Sequence, residues 1–446
     1  MGSIESVFKA YDIRGRVDTG ELDEPLVRDV GAAFASWSGA DRIAVGYDCR
    51  PSSPGLAAAL TAGINSVGCD VDALGAVPTD LVYFASGRDR VPGVMITASH
   101  NPAGYNGIKL CGVGAAPIGS DSGLTDIKQL VIDGVPASSP EGSVHQVDAV
   151  PDYVDHLLRI VDPSNIAALD VVVDGGNGMA GIAVEKVFDR LAARLHGLYL
   201  EPDGTFPNHP ANPLEPENMV DAIAAVRDSG ADLGVAFDGD ADRAFFIDDK
   251  GAILSGSTTT ALVATWFLDR NPGASIVHNL ITSRSVPEII TEKGGIPIRT
   301  RVGHSFIKAV MAETGAVFGG EHSGHYYFAD NYRADSGMLA MLVLLQVLSE
   351  SGMSLSELRS TVERYEASGE VNLRVDDATA AMLAVEEANP TAAVDRLDGL
   401  TLDWEDRWLN LRPSNTEPFL RLNVEASDSS TVDDLVRSVS EIVEGR

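Results

Sequence analysis

A chain of 446 residues with 44% apolar side chains can build more than one hydrophobic core, so about two to four domains are expected. Its 65 Asp and Glu outnumber 33 Lys and Arg, and the formal charge of −32 argues against nucleic acid or an anionic membrane as a partner. An anionic substrate would need a local Arg and Lys cluster to overcome that field, and the acidic excess itself reads as a solubility device suited to a salty medium. Cys49, Cys69 and Cys111 form no C-x-x-C pair, which fits a reducing compartment. The start, MGSIESVFKAYD, lacks a basic-then-apolar leader pattern. The longest apolar run, 338–348, contains Gln346 and is too short to span a bilayer, so it reads as a buried helix of a cytoplasmic protein.

Short apolar runs alternate with amphipathic segments along most of the chain. A strand is expected at 43–46, a helix at 54–67 and a strand at 94–96. The pattern restarts with a strand at 170–174, the glycine-rich turn 175–178 and a helix at 182–191. A helix at 219–229 and strands at 233–237 and 244–247 follow. A third cycle has a helix at 258–268, a strand at 275–277, helices at 286–293 and 306–313, and an apolar segment at 316–318. Such alternation predicts parallel-sheet α/β units, which read as candidate diverged repeats. The last 80 or so residues differ: 409–412 and 419–424 alternate in period two, and a helix is expected at 432–443. That predicts a smaller α+β domain. Boundaries suggested by the Gly/Pro/Ser-rich stretch 134–143, the turn Asp249-Lys250-Gly251 and the segment after Tyr365 divide the chain into 1–148, 149–250, 251–366 and 367–446.

Four polar loops interrupt this framework. Thr97-Ala98-Ser99-His100-Asn101-Pro102 follows an apolar strand, and Ser99 is the candidate nucleophile, although a plain turn uses the same residue types. Asp238-Gly239-Asp240-Ala241-Asp242-Arg243 lies between two strands. Carboxylates at i, i+2 and i+4 cannot share a helical face but converge from a loop, and hard oxygen donors suit Mg²⁺, Mn²⁺ or Ca²⁺. An EF-hand is rejected because its sixth and twelfth positions here hold Arg243 and Asp249. A Mg²⁺ site usually keeps water or a phosphate oxygen, which a phosphorylated Ser99 would supply. Arg412-Pro413-Ser414-Asn415-Thr416-Glu417-Pro418, with Arg421 in the next strand, is the positive cluster that an anionic ligand requires. In Gly319-Gly320-Glu321-His322-Ser323-Gly324-His325, alternate Glu and Ser suit paired sugar hydroxyls.

TASHNP, DGDADR, GEHSGH and RPSNTEP, in this order after Phe8-Lys9-Ala10-Tyr11-Asp12-Ile13-Arg14-Gly15, resemble the α-D-phosphohexomutase superfamily from residue 8 to about 425. Within it the chain is most similar to the bacterial phosphomannomutase/phosphoglucomutase branch. Phosphoglucosamine mutases, the alternative, more often have SASHNP and a Gln at the place of His322. The resemblance implies three α/β domains with mixed sheets and a smaller, mobile C-terminal α+β domain, heart-shaped around a central active-site cleft. It implies exchange of phosphate between O1 and O6 of a hexose through a hexose 1,6-bisphosphate. Ser99 would carry the phosphate, and Asp238, Asp240, Asp242 and Ser99 would hold Mg²⁺. Arg243 and Arg14 would act in catalysis, with Lys109 and His304 as candidate acid/base groups. Tyr11, Arg14, Glu321, Ser323 and His325 would contact the sugar, and Arg412, Ser414, Asn415, Thr416 and Arg421 the second phosphate. A phosphosugar is the expected partner of a monomer or homodimer. Where some relatives carry a lysine contact, this chain has Asn279-Leu280-Ile281-Thr282, leaving Arg284 as a possible substitute. A metal-dependent sugar phosphatase or a non-catalytic phosphosugar sensor are the competing readings.

Overall fold

The structure, a computed structural model, describes residues 4–414 and 419–445. Among them are four sheets of seven, four, four and five strands. The first three share one connectivity. In the first, Arg42–Tyr47 pairs in parallel with Asp70–Ala76 and Gly93–Ile96, and Tyr105–Gly112 runs antiparallel to Gly93–Ile96. In the second, Asp170–Asp174 plays the first part, with Arg194–Leu198, Leu233–Phe237 and antiparallel Ala244–Asp248. In the third, Ser275–Asn279 is followed by Ile296–Thr300, Phe318–Gly320 and antiparallel Tyr326–Phe328. The three cycles are thus one topology used three times.

This connectivity positions the chemistry. Each time, the turn from the third strand to the antiparallel fourth carries a polar loop: 97–104, 238–243 and 321–325. The carboxyl ends of parallel strands are where open α/β sheets bind ligands, because the chain leaves the sheet there without covering it. The fourth sheet is entirely antiparallel, and its arginine loop joins Arg407–Pro413 to Phe419–Ala426.

One apolar core runs through the first three units, joining Phe84 and Met95, Val173 and Phe237, and Phe267, Phe318 and Leu344. Gly337–Ser351 crosses it and is apolar on all sides, as a helix surrounded by protein must be. Ser336 caps it by accepting from the Leu339 amide, and each buried leucine in it contributes about 1.5–3 kcal/mol. The fourth unit has its own core around Leu373, Leu409, Leu422 and Val439. Among the described residues no single helix is long and apolar enough to cross a membrane.

Three details differ from the sequence expectation. The helix expected at 182–191 ends at Phe188, and the half-exposed edge strand Arg194–Leu198 follows it. The apolar segment at 316–318 leads into a strand that begins only at Phe318, Phe318–Gly320. Val144–Gln146 pairs in parallel with Asp70–Ala76, so the first sheet continues past the Gly/Pro/Ser-rich stretch.

Candidate active site

Ser99 sits in the turn after Gly93–Ile96, almost fully buried and with left-handed backbone, φ +51°. Its amide donates to Thr97 Oγ1 at 2.9 Å. Its hydroxyl donates to Asp238 Oδ2 at 2.7 Å, so two loops 139 residues apart meet at Ser99. Gly239 makes the approach possible, because a Cβ there would lie 2.4 Å from the Ser99 carbonyl oxygen.

Asp238, Asp240 and Asp242 are buried and offer oxygens within 4.8 Å of one another. Arg243 binds Asp238 through Nε at 2.9 Å and Nη2 at 2.8 Å. Lys109 Nζ donates to Asp240 Oδ2 at 2.6 Å and Asp242 Oδ2 at 2.5 Å, and Thr79 Oγ1 donates to Asp240. Asp240 Oδ1 and Asp242 Oδ1 are buried without a hydrogen-bond partner. Unpaired buried carboxylate oxygens are costly, and an oxygen-seeking cation would satisfy them. The residues present therefore fit Mg²⁺.

A cavity of about 140 Å³ opens beside Ser99, lined by Tyr11, Arg14, Lys109, Arg243, His304 and His325 among others. The sequence-derived candidates from three units thus converge on one space. Arg14 donates to Asn101 Oδ1 at 2.6 Å and pairs with Asp12, and Tyr11 packs edge-on against His304 at 5.3 Å. His325 Nδ1 lies 2.9 Å from Asp335 Oδ2, and Lys308 binds the other oxygen of Asp335 at 2.8 Å. Sequence reading missed Asp335, Lys308, Thr79 and Tyr83, which stand outside the recognisable motifs.

The charges of this space are set by which groups meet there. A lysine among cations would lose its proton easily, but Lys109 lies among carboxylates. Burial alone would lower its pKa, and the attraction of Asp240, Asp242 and Asp238 outweighs burial and raises it, so Lys109 is a cation here. His304 is pushed down to about 3 by burial and by Lys308, and stands neutral at pH 7. His100 falls to about 2 beside Arg243, with burial adding to the effect.

The remaining two polar loops come from the third and fourth units. Glu321 is buried, accepts from the Tyr327 hydroxyl at 2.5 Å and from Asn279 Nδ2 at 3.2 Å. Ser323, half-buried, lies two residues on in the same turn. Arg412 and Arg421 face each other across neighbouring strands, a repulsive placement. Glu370 answers both only at 3.8 and 3.5 Å, and both Nε groups are buried without a hydrogen-bond partner. Such a pair fits a bound anion. Ser414 donates its amide to the Phe419 carbonyl at 2.9 Å. Asn415 and Thr416 lie outside the described residues. The Arg284 guanidinium binds Asp403, Trp404 O at 2.9 Å and Glu405 O at 2.7 Å, tying the third unit to the fourth.

Four family models of phosphoglucomutase/phosphomannomutase match the chain consecutively. They are alpha/beta/alpha domain I at 5–133, domain II at 151–251, domain III at 255–365 and the C-terminal domain at 370–442. The chain belongs to the phosphoglucomutase/phosphomannomutase family. A "Phosphohexose mutases" protein of Xanthomonas campestris is 40% identical over 444 residues, covering 98% of this chain and 99% of that one. A phosphomannomutase of Salmonella montevideo is 41% identical over 431 residues, 94% of each. The crystal structure of a phosphoglucomutase/phosphomannomutase family protein from Burkholderia thailandensis superposes with TM-score 0.91 at 33% identity, covering 100% of this chain and 98% of that one. The family is the α-D-phosphohexomutase superfamily to which the loop motifs pointed.

Proposed function

We propose that this phosphohexomutase interconverts hexose 1-phosphate and hexose 6-phosphate, of mannose, glucose or both, through phosphorylated Ser99 and a hexose 1,6-bisphosphate. The observation that carries this reading is the hydroxyl of Ser99 at 2.7 Å from Asp238, within a buried carboxylate cluster that has unpaired oxygens. Asp238, Asp240 and Asp242, with an oxygen of the Ser99 phosphate, would hold Mg²⁺. The ion, when bound, supplies charge neutralisation on the transferring oxygens. Arg243 orients Asp238 and adds positive charge beside Ser99. Phosphoryl transfer needs chiefly such positioning and electrostatics.

In the transfer, the bond from phosphorus to Ser99 Oγ breaks as a sugar hydroxyl bonds to phosphorus. The hydroxyl proton passes to a group in the cavity, and Ser99 Oγ ends protonated. Of the groups lining that cavity, neutral His304 is available to accept the hydroxyl proton and cationic Lys109 to give one to Ser99 Oγ, with His325 beside them. Glu321, Ser323 and Tyr11 are assigned to the sugar. Arg412 and Arg421, with Ser414, Asn415 and Thr416, are assigned to the phosphate that is not being transferred. Domain limits at 148/149, 250/251 and 366/367 go with this reading. The unpaired cysteines support a cytoplasmic setting.

The test supplies mannose, glucose or glucosamine 1-phosphate with Mg²⁺ and a trace of hexose 1,6-bisphosphate, and measures hexose 6-phosphate and free phosphate. A mutase yields the 6-phosphate. Free phosphate alone marks a phosphatase, no turnover marks a sensor, and preference for the glucosamine phosphate moves the chain to the phosphoglucosamine branch.

A further inference from the structure

Ser99 must be held in left-handed backbone within reach of Asp238, and the loop around it places several carbonyl groups in the interior. Buried carbonyls need donors. Arg50, in the loop after Arg42–Tyr47, supplies them. Its side chain has no solvent exposure. Nη2 donates to the carbonyls of Ser99 at 2.8 Å and Asn101 at 2.6 Å. Nη1 donates to those of Pro102 at 2.8 Å and Tyr105 at 3.1 Å. Nε donates to Asp48 Oδ2 at 3.0 Å, which balances the charge. All five guanidinium donors are used; three of them end on the nucleophile loop and a fourth on the first residue of the strand that follows it.

The second unit closes over this residue. The Phe206 ring lies 5.1 Å from the guanidinium carbon, and Phe206 has φ +51°, a conformation rare for a bulky side chain. A Cβ on Gly204 would come within 2.3 Å of Arg50 Cα. Arg50 is therefore gripped by the metal-loop unit while it grips the serine loop.

We propose that Arg50 is the positioning residue of the Ser99 loop, setting the place of the nucleophile relative to the carboxylate cluster without touching substrate. This rests on the reading of Ser99 as phosphate carrier. Lysine, with three donors on a compact charge, cannot span four carbonyls. In Arg50→Lys the serine shifts, and misplacement of a reacting group by about 1 Å costs on the order of 100-fold in rate.

The experiment compares full-length wild type, Arg50→Lys and Phe206→Leu by steady-state kinetics and by hydrogen–deuterium exchange of peptides covering 97–105. Arg50→Lys should lower kcat about 100-fold and leave KM within about threefold, because the second-phosphate arginines are elsewhere. Exchange should accelerate in 97–105 and stay unchanged in peptides of Gly337–Ser351. Phe206→Leu, which keeps apolar bulk and loses the ring face, should show the same pattern with about a tenfold smaller effect. A kcat within about threefold of wild type in Arg50→Lys, or unchanged exchange in 97–105, overturns the proposal. If Arg50→Lys does not fold, Phe206→Leu decides by the same two readouts. A wild type without mutase turnover defeats the Ser99 reading instead, and the exchange data still judge the hold of Arg50 on the loop.

Discussion

The junction at Ser99 and the arginine pair of the fourth unit are built on opposite principles. At the junction, three units share one apolar core, and the serine, three aspartates, Arg243 and Arg50 are buried and tied by short hydrogen bonds. In the fourth unit the core is separate, like charges face each other, and the link to the third unit is polar, through Arg284, Asp403 and Arg299 with Asp395. On the proposed reading, the first arrangement fixes where a phosphoryl group transfers. The second leaves donors unspent until an anion arrives. The proposed reaction, which holds one phosphate rigidly and receives another in two orientations, has use for both.

The largest effect should come from Ser99→Ala, which removes the transferring oxygen: mutase turnover should fall on the order of 10⁴-fold with an unchanged melting temperature. Near-normal activity in that variant would sink the carrier role. Asp240→Asn removes a charge from the carboxylate cluster and should weaken Mg²⁺ binding about 100-fold, measured by calorimetric titration. Chelation of wild type should stop turnover and excess Mg²⁺ should restore it. Undiminished Mg²⁺ affinity would show that the cluster is not the metal site.

Arg412→Ala should raise KM about 10- to 100-fold, because a charge-assisted contact to phosphate is lost. Its melting temperature should hold or rise, since Arg421 loses a repulsive neighbour. A fall in kcat at constant KM would erase the contrast between the two regions.

The smallest effect concerns Asp80, where the three units meet. Tyr153 and Ser336 donate to its Oδ2, while burial, the largest influence, carries its pKa up to about 7 against those two hydrogen bonds. The folded state thus keeps a proton that the unfolded chain releases near 3.8. Its stabilising contribution is full below that pH and is lost as pH rises to about 7, at roughly 1.4 kcal/mol per pH unit. Urea unfolding at pH 5 and pH 8 should show this slope in wild type and a flatter one in Asp80→Asn. Equal slopes would assign the pH dependence elsewhere.

The amino-acid sequence by itself determined the strands whose apolar runs are buried on both faces, such as Asp170–Asp174 and Leu233–Phe237, because continuous hydrophobic pattern is a local signal. It also marked the polar loops, because serine, aspartate and arginine between apolar strands stand out without any contact being known. It left the edge strand Arg194–Leu198 unmarked, since that strand is half-exposed and carries no strong alternation. Tertiary structure alone decided which loops meet. Lys109 reaches Asp240 and Asp242 more than 130 residues away, which keeps it a cation, and Arg284 is spent on the fourth unit. Arg50 is the sharpest case: in Asp48-Cys49-Arg50-Pro51 it has no pattern, and its five donors acquire meaning only when the Ser99 loop folds around them. Hydrophobic periodicity is written in neighbouring residues, whereas charge pairing and hydrogen bonding belong to groups brought together by topology.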